Sequence, residues 1–177
     1  MMTQPKMQKV CLEATPYYHC ICRCVRRSFL CGDDNVTGQN FDHRKQWLVD
    51  KITELSSIFS IELCAYSIMS NHYHLVLKVG KSTAEQWSDK EVALKWLQLF
   101  NGNVLVNRWL KEPNITQAET DKALEFIKAW RNRLYDLGWY MRCLNEFIAV
   151  QANKEDNCKG RFWEGRFKSQ ALLDETA

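Results

Sequence analysis

Two strand-like segments lie almost end to end in the middle of the sequence. Residues 61–69 (IELCAYSIM) and 72–79 (HYHLVLKV) are rich in β-branched, aromatic and other apolar residues, and only Ser70 and Asn71 separate them. Antiparallel strands can be joined by a turn of two residues, whereas parallel strands need a much longer connection. The sequence therefore predicts a β-hairpin, and with it an antiparallel sheet.

Two further strands and one helix are predicted outside the hairpin. Residues 17–25 (YYHCICRCV) alternate with the two-residue period of a strand, and residues 162–173 (FWEGRFKSQALL) predict a fourth strand with a bulge at Gly165. The apolar residues of 43–59 fall on one helical face, and Asp42 is a suitable capping residue before them. A helix is therefore expected to connect the first strand to the hairpin.

Helical segments fill the region between the hairpin and the last strand. The Ser-x-x-Glu at 88–91 and the Thr-x-x-Glu at 116–119 have the spacing of capping boxes, which predicts one helix from residue 89 and another from 117 to about 136. A third helical stretch covers 139–152. This order of elements predicts an α+β fold, with a ferredoxin-like antiparallel sheet (split βαβ) and a helical insertion between strands 3 and 4. With 177 residues and no internal repeat, the chain is expected to form a single domain over 1–177.

The charge and the cysteines exclude several classes of protein. The net charge of +3 is too small for a protein that coats nucleic acid without selectivity, so any nucleic-acid contact must come from local basic clusters. Eight cysteines are present, but the N-terminus has no apolar signal peptide, and no apolar run approaches the ~18 residues that span a membrane. We therefore expect reduced thiols in a cytoplasmic protein with no membrane partner. Cys20, Cys22 and Cys24 recur at every second position and are expected to form a small apolar face of the first strand.

A histidine pair lies at the start of the second hairpin strand. Side chains two apart on a strand point to the same face, so His72 and His74 are expected to project together while Tyr73 faces the other way. Two neutral imidazoles so placed can bind one divalent ion, although two solvated histidines would show the same spacing. Metallohydrolase barrels and double-sheet barrel sites need further histidines, and the sequence offers only His19 and His43, both upstream.

Three segments of the sequence together resemble one protein family. Residues 69–77 (MSNHYHLVL) resemble the Met-(Pro/Ser)-Asn-His-hydrophobe-His-hydrophobe signature of the single-tyrosine His-hydrophobe-His (HUH) insertion-sequence transposases. Residues 160–169 (GRFWEGRFKS) resemble the Trp-Glu-Gly-Arg-(Phe/Tyr)-Lys-Ser block of the branch associated with repetitive extragenic palindromes, and residues 18–20 (YHC) with Arg23 resemble its first strand. The segments occur in the family's order along most of the chain.

The resemblance implies a metal-dependent reaction on DNA. In this family the two histidines bind Mg²⁺ or Mn²⁺, and a tyrosine attacks a scissile phosphate of single-stranded DNA folded into a hairpin, leaving a 5′-phosphotyrosine and a free 3′-OH. The resemblance therefore implies that His72 and His74 are metal ligands. It also implies that the chain acts in strand cleavage and transfer, which is DNA transposition.

The resemblance stops at the nucleophile. In relatives the tyrosine lies on a helix after the fourth strand, in a segment of the kind Tyr-x-x-x-Asn-Pro, and the sequence contains no such segment after residue 173. Tyr140 is a weak substitute and Tyr135 a weaker one, since an aromatic on an apolar helical stretch is usually packing. We therefore expect no covalent DNA adduct from this chain. The alternative function is a non-catalytic hairpin-DNA-binding remnant or truncated product, and a third is an unrelated small metallohydrolase.

Basic residues near the first and last strands are candidate DNA contacts. If the cysteines of the first strand face the helices, Arg23 and His19 share the opposite face, beside the histidine pair in a ferredoxin-like sheet. Arg23 is then expected to contact phosphate, and His19 is a weaker candidate for a third metal ligand. The candidate DNA-binding residues are Arg23, Arg26, Arg27, Arg161, Arg166 and Lys168. Phe162, Trp163 and Phe167 lie between the last three of them in the sequence. These aromatic side chains could equally stack on bases or pack in the core. The expected partners are single-stranded or hairpin DNA, and a homodimer is a possible assembly.

Overall fold

Four strands form a single antiparallel sheet in the part of the chain that the structure describes. The structure is a computed structural model, and it describes residues 12–25 and 29–173. The strands are β1 (Tyr17–Arg23), β2 (Ile61–Ile68), β3 (His72–Val79) and β4 (Lys168–Ala171), ordered β2-β3-β1-β4 across the sheet. The helices are α1 (His43–Ile58), α2 (Lys81–Gln86), α3 (Asp89–Trp96), α4 (Val104–Lys111), α5 (Gln117–Leu134) and α6 (Leu137–Glu155). The predicted α+β architecture is confirmed, with α1 between β1 and β2 and the other described helices between β3 and β4.

The predicted hairpin is formed by β2 and β3. Its tight turn is closed by the Met69 amide, which donates to the His72 carbonyl oxygen at 2.8 Å. The two strands pair in antiparallel register, and a bulge between Leu63 and Ala65 interrupts the pairing. β1 pairs with the other side of β3, so β3 is a central strand.

The two faces of the sheet differ in burial. The side chains of β1 and β3 that point to the helices are at most 4% exposed, and they are Tyr18, Cys20, Cys22, Tyr73, Leu75, Leu77 and Val79. They form one core with apolar residues of α1 and α6, such as Leu48 and Leu144. The alternate residues are half-buried or exposed. We call their side of the sheet the open face; it carries Tyr17, His19, Ile21 and Arg23 from β1, and His72, His74, Val76 and Lys78 from β3.

The alternating cysteines form the small apolar face predicted for the first strand. Cys20 and Cys22 lie on the helix side of β1 and Cys24 follows the strand, and each of the three is 3% exposed or less. Burial raises the pKa of each of these thiols to about 12. They are free thiols whose ionisation is disfavoured at neutral pH.

Capping boxes begin two of the predicted helices. The Ser88 hydroxyl accepts from the Glu91 amide, and the Glu91 carboxylate accepts from the Ser88 amide. Thr116 and Glu119 make the same reciprocal pair of bonds at the start of α5. Both predicted capping boxes are confirmed.

Other helix ends differ from the predictions. Asp42 occupies the N-cap position of α1 as predicted, but its side chain makes no capping hydrogen bond. Its Oδ1 instead accepts the Gly32 amide at 3.0 Å, which ties α1 to the preceding loop. The short helices α2 and α4 were not predicted, because segments of six and eight residues carry little periodic signal. None of the helices in the described residues is both long enough and apolar enough to cross a membrane.

The last strand is shorter than predicted. Its continuous pairing with β1 covers Lys168–Ala171, and Trp163 forms a separate antiparallel bridge with Cys24, so the predicted strand 162–173 is interrupted between them. The Trp163 indole N–H donates to the Asn145 carbonyl oxygen of α6 at 2.8 Å. This bond and the burial of the indole hold the segment before β4 against the helices.

Candidate functional site

Three histidines meet on the open face where β1 and β3 run side by side. The rings of His72 and His74, two residues apart on β3, have centroids 5.0 Å apart. His19 of β1 lies beside His74 with ring centroids 5.1 Å apart and planes 12° apart, and its Nε2 lies 2.9 Å from His74 Nδ1. The antiparallel register places the third ring there, because His19 is diagonal to His74 across the strand pair. We call these three residues the histidine cluster.

Hydrogen bonds engage one ring nitrogen of each histidine on β3. His72 Nδ1 lies 2.7 Å from the side-chain oxygen of Asn71, the residue just before it. His74 Nδ1 is the atom that meets His19 Nε2. In both rings Nδ1 is therefore in use, while Nε2 makes no hydrogen bond within residues 12–25 and 29–173.

The surroundings disfavour protonation of two of the three rings. Desolvation lowers the pKa of His19, and the neighbouring His74 ring lowers it further. Desolvation also lowers the pKa of His72, with further contributions from His74 and from the Arg23 guanidinium. Neutral imidazole is the form that binds a metal ion, so these shifts favour metal binding over protonation.

The turn that precedes His72 is held by the segment after β1. The Asn71 carbonyl oxygen accepts the Cys24 amide at 2.8 Å, and the Ser70 carbonyl oxygen accepts the Leu30 amide at 2.7 Å. Leu30 is itself fully buried. These bonds fix the start of β3, and with it the position of His72, in addition to the bond that closes the turn.

A buried arginine anchors that segment to the helices. The side chain of Arg44, at the start of α1, is 0% exposed, and its guanidinium donates to the Phe29 carbonyl oxygen at 2.6 Å and to Glu155 at 2.7 Å. It also pairs with Asp156, and its Cζ lies 4.2 Å from the centre of the Phe41 ring. Arg44 therefore joins the start of α1, the end of α6 and the segment that holds the hairpin turn.

The two imidazoles on the open face suit a divalent ion whose remaining ligands are water or phosphate oxygens. Two neutral imidazoles leave most coordination positions open for water and phosphate oxygens, which are the ligands that Mg²⁺ and Mn²⁺ prefer. Within the described residues, no group of three or more histidine, cysteine, aspartate or glutamate side chains is arranged to hold a metal ion by itself. An ion at His72 and His74 would therefore take its remaining ligands from water or from a bound phosphate.

Arg23 and Lys168 bring positive charge to the open face. Arg23 lies opposite His72 in the β1–β3 pairing and Lys168 lies opposite Ile21 in the β1–β4 pairing, so both flank the histidine cluster. Both are exposed, and neither forms a salt bridge with a carboxylate in the part of the chain that the structure describes. They can therefore neutralise phosphates without giving up an internal ion pair.

Arg161 and Arg166 lie at a different place. They line a cavity of about 740 Å³ between α6 and the segment 160–167, together with Arg142 and Phe167. Because α6 packs on the helix side of the sheet, this cavity is not part of the open face. The structure therefore divides the candidate DNA-binding residues into two groups.

The remaining residues proposed from the sequence fall into two categories. Phe162 and Trp163 are 3% and 9% exposed, and Trp163 packs edge-on against Tyr73 with ring centroids 5.6 Å apart, so both belong to the core. Arg26 and Arg27 lie outside the described residues.

Tyr140 is on the side of the sheet opposite the histidine cluster. Its side chain is 0% exposed, packs edge-on against Phe59, and has its hydroxyl 3.3 Å from Ser56 Oγ. Desolvation raises its pKa to about 12. In this fold Tyr140 is a core residue, and no phosphate on the open face can reach it.

Tyr135, the other weak candidate, lies at the C-terminal end of α5, and its hydroxyl donates to Asn132 at 3.2 Å.

Two residues of the site were not singled out from the sequence. The Asn71 side chain hydrogen-bonds His72; in the sequence it is one position of the segment 69–77, to which no separate role was assigned. Tyr17 is 40% exposed at the far end of the open face, opposite Lys78. Tyr17 and His19 are two residues apart on β1, so the strand period that predicts His19 on the open face also predicts Tyr17 there.

No protein-family model and no curated protein matches the chain. A solved structure of a REP-associated tyrosine transposase bound to a REP hairpin is similar to this chain, with a TM-score of 0.49 and 12% sequence identity. The similarity covers 99% of this chain and 65% of that chain, so this chain spans 65% of the length of that transposase chain.

Proposed function

We propose that this chain binds single-stranded or hairpin DNA on its open face and, with a divalent ion at His72 and His74, serves DNA strand cleavage and transfer of the kind that HUH transposases perform. The observation that carries the proposal is the joint placement of the histidine cluster, Arg23 and Lys168 on one side of the sheet. Metal-binding nitrogens and unpaired cations on one surface are what a site for a phosphodiester requires.

The topology and the sequence segments support this assignment. The strand order β2-β3-β1-β4, with α1 joining β1 to β2, is that of a split βαβ unit, so we assign the sheet as ferredoxin-like, with α2–α6 as the insertion. The three segments that resemble the transposases are 18–20 with Arg23, 69–77 and 160–169. Each of them contributes at least one side chain to the open face.

Each residue of the open face has a different role in binding a phosphate. Mg²⁺ or Mn²⁺, when bound, would polarise the scissile phosphate and stabilise charge on its oxygens. His72 and His74 supply the nitrogen ligands. The Arg23 guanidinium, adjacent to His72, can donate two parallel hydrogen bonds to one phosphate, and Lys168 adds a point charge on the far side of β1.

DNA binding is tested by fluorescence anisotropy with three labelled oligonucleotides of equal length. These are a hairpin with single-stranded flanks, an unstructured single strand and a blunt duplex. We expect the first two to bind more tightly than the duplex, and we expect the double variant Arg23→Ala/Lys168→Ala to weaken both. Lys122→Ala, on α5, is the matched control, because that lysine pairs with Glu125 away from the open face. Equal affinity for the blunt duplex would contradict the proposed substrate class.

Metal binding is tested separately from DNA. Free Mn²⁺ is measured by electron paramagnetic resonance as protein is added, with and without the hairpin. We expect His72→Ala and His74→Ala to abolish specific binding, and the hairpin to strengthen it in the unmodified chain because its phosphate completes the coordination. Unchanged Mn²⁺ affinity in both alanine variants would remove the metal from the proposal.

A non-catalytic DNA hairpin binder is the second candidate function, and the position of Tyr140 favours it. The hydroxyl of Tyr140 is buried on the helix side of the sheet, so it cannot attack a phosphate at the histidine cluster. Incubating the chain with labelled hairpin and Mn²⁺, followed by a denaturing gel, separates the two functions, since a covalent phosphotyrosine survives denaturation. A covalent band would establish strand cleavage, and its loss in Tyr140→Phe would show that α6 rearranges.

A further inference from the structure

We propose that Asn71 and His19 are positioning residues that fix the tautomers of His72 and His74, so that both rings offer Nε2 as the metal-binding atom. This inference rests on the proposed metal site and specifies which atoms of its ligands are used. Each hydrogen bond on the open face restricts which ring nitrogen of the histidine carries the proton, and the inference follows from these restrictions.

Asn71 determines the proton position on His72. The side-chain oxygen of an asparagine can only accept a hydrogen bond, and it lies 2.7 Å from His72 Nδ1. With the amide oriented so that its oxygen faces the ring, the proton is on Nδ1. Since a neutral imidazole carries a single ring proton, Nε2 is left with its lone pair free, which is the state that a metal ion requires.

Asn71 is itself held in place by the backbone. Its carbonyl oxygen accepts the Cys24 amide at 2.8 Å, and the preceding carbonyl of Ser70 accepts the amide of the buried Leu30. The main chain that carries the asparagine is therefore fixed on both sides of the turn. This makes the acceptor a preformed part of the site rather than a mobile surface group.

His19 plays the corresponding part for His74. One proton lies between His19 Nε2 and His74 Nδ1, which are 2.9 Å apart. If His74 donates, its Nε2 lone pair is free for metal; if His19 donates, the proton of His74 is on Nε2 and no lone pair remains for the ion. A metal ion on His74 therefore selects the arrangement in which His74 donates and His19 accepts.

The same bond gives His19 a role other than that of a third ligand. In the selected arrangement the Nε2 lone pair of His19 accepts the His74 proton, and its Nδ1 carries a proton, so neither nitrogen is free for the ion. This agrees with the finding that no three-residue metal group is formed within residues 12–25 and 29–173. The planes of the two rings are 12° apart, so the His19 acceptor lies close to the plane of the His74 ring, as a hydrogen bond from Nδ1 requires.

The first test compares variants that remove each acceptor with variants that keep one. Asn71→Leu and His19→Leu remove the acceptor, whereas Asn71→Asp and His19→Gln retain an oxygen that can accept from Nδ1. Loss of such a partner typically lowers metal affinity about 10- to 100-fold, so we expect a loss of that size for Mn²⁺ in the two leucine variants and substantial retention in the other two. Ser67→Ala is the matched control, because Ser67 is exposed and lies opposite His74 on β2.

The second test observes the tautomers directly in the metal-free chain. Long-range ¹H–¹⁵N correlation spectra distinguish a protonated Nδ1 from a protonated Nε2. We expect His72 to carry its proton on Nδ1, and we expect that preference to be lost in Asn71→Leu while the thermal unfolding midpoint stays close to that of Ser67→Ala. A proton on Nε2 of His72 in the unmodified chain would overturn the role of Asn71.

The outcomes separate this inference from the proposed function. If His72→Ala and His74→Ala leave Mn²⁺ binding intact, the metal site itself is absent. If those variants abolish binding but the leucine variants bind normally, the site stands and the positioning role is refuted. Equal loss in His19→Leu and His19→Gln would make His19 a ligand, which also overturns the role proposed here.

Discussion

Replacing Arg44 by methionine should destabilise the fold far more than the loss of a surface charge would. The guanidinium is fully buried and bonds two carboxylates and the Phe29 carbonyl oxygen. Methionine fills a similar volume but satisfies none of them. Glu155 would keep its contact with His43, but Asp156 would lose the guanidinium beside it and the carbonyl oxygen would lose its donor.

The expected loss is smaller than for a completely buried pair. Breaking such a pair by removing one partner costs about 3–5 kcal/mol. The side chains of Glu155 and Asp156 keep 35% and 25% of their exposure, so water can partly solvate them after the substitution. We therefore expect a loss of about 3 kcal/mol in the free energy of unfolding, which lowers Tm by about 6–12 °C in a chain of this length.

Urea unfolding followed by far-ultraviolet circular dichroism measures this loss. Arg142→Met on α6 is the control, because Arg142 also pairs with a glutamate but its side chain is 60% exposed, and its loss should cost about 0.5 kcal/mol or less. Adding Glu155→Gln and Asp156→Asn to the Arg44 variant should recover part of the stability by removing the uncompensated charges. A loss below about 1 kcal/mol in Arg44→Met would refute the anchoring role.

Three further predictions concern DNA binding, the core tyrosine and the buried thiols. Arg23→Ala should reduce the dependence of the logarithm of DNA affinity on the logarithm of salt concentration by about one, as expected for one lost phosphate contact, while Lys122→Ala leaves that slope unchanged. Tyr140→Phe should change the free energy of unfolding by about 1 kcal/mol or less in urea titrations, because the bond to Ser56 is long, and should not alter hairpin affinity. Burial raises the pKa of Cys22 from 9.0 to about 12, so the unfolded chain releases this proton first and stability should fall as pH rises through that interval; in Cys22→Ala the decline measured by denaturant titration should be shallower.

The open face could be predicted from the sequence because its signal is local. A period of two places His72 with His74, and it places Arg23 with His19, before any tertiary contact is known. The turn of two residues fixes how β2 and β3 pair. These features depend only on neighbouring residues, and the structure has β1, β2 and β3 where they were expected.

The features that were missed depend on distant residues. Arg44 lies at the start of a helix, where a charge is usually solvated, and its carboxylate partners are 111 and 112 residues away in the chain. The bond from Trp163 to Asn145 ties the segment before β4 to α6, and nothing near Trp163 in the sequence indicates that partner. Asp42 had the residue type of a helix cap, but the loop at Gly32 competes for its carboxylate. In each case a tertiary contact overrides a local preference.

The bulge in β2 limits how this sheet can associate with another chain. β2 forms one edge of the sheet, and an edge strand leaves a row of backbone donors and acceptors that can template the addition of a further strand. The bulge divides that edge into two short runs, Ile61 to Leu63 and Ala65 to Ile68, and a bulge bends the strand that carries it. Continuous pairing of a second β2 along both runs is thereby disfavoured, as it is for bulged edge strands in general.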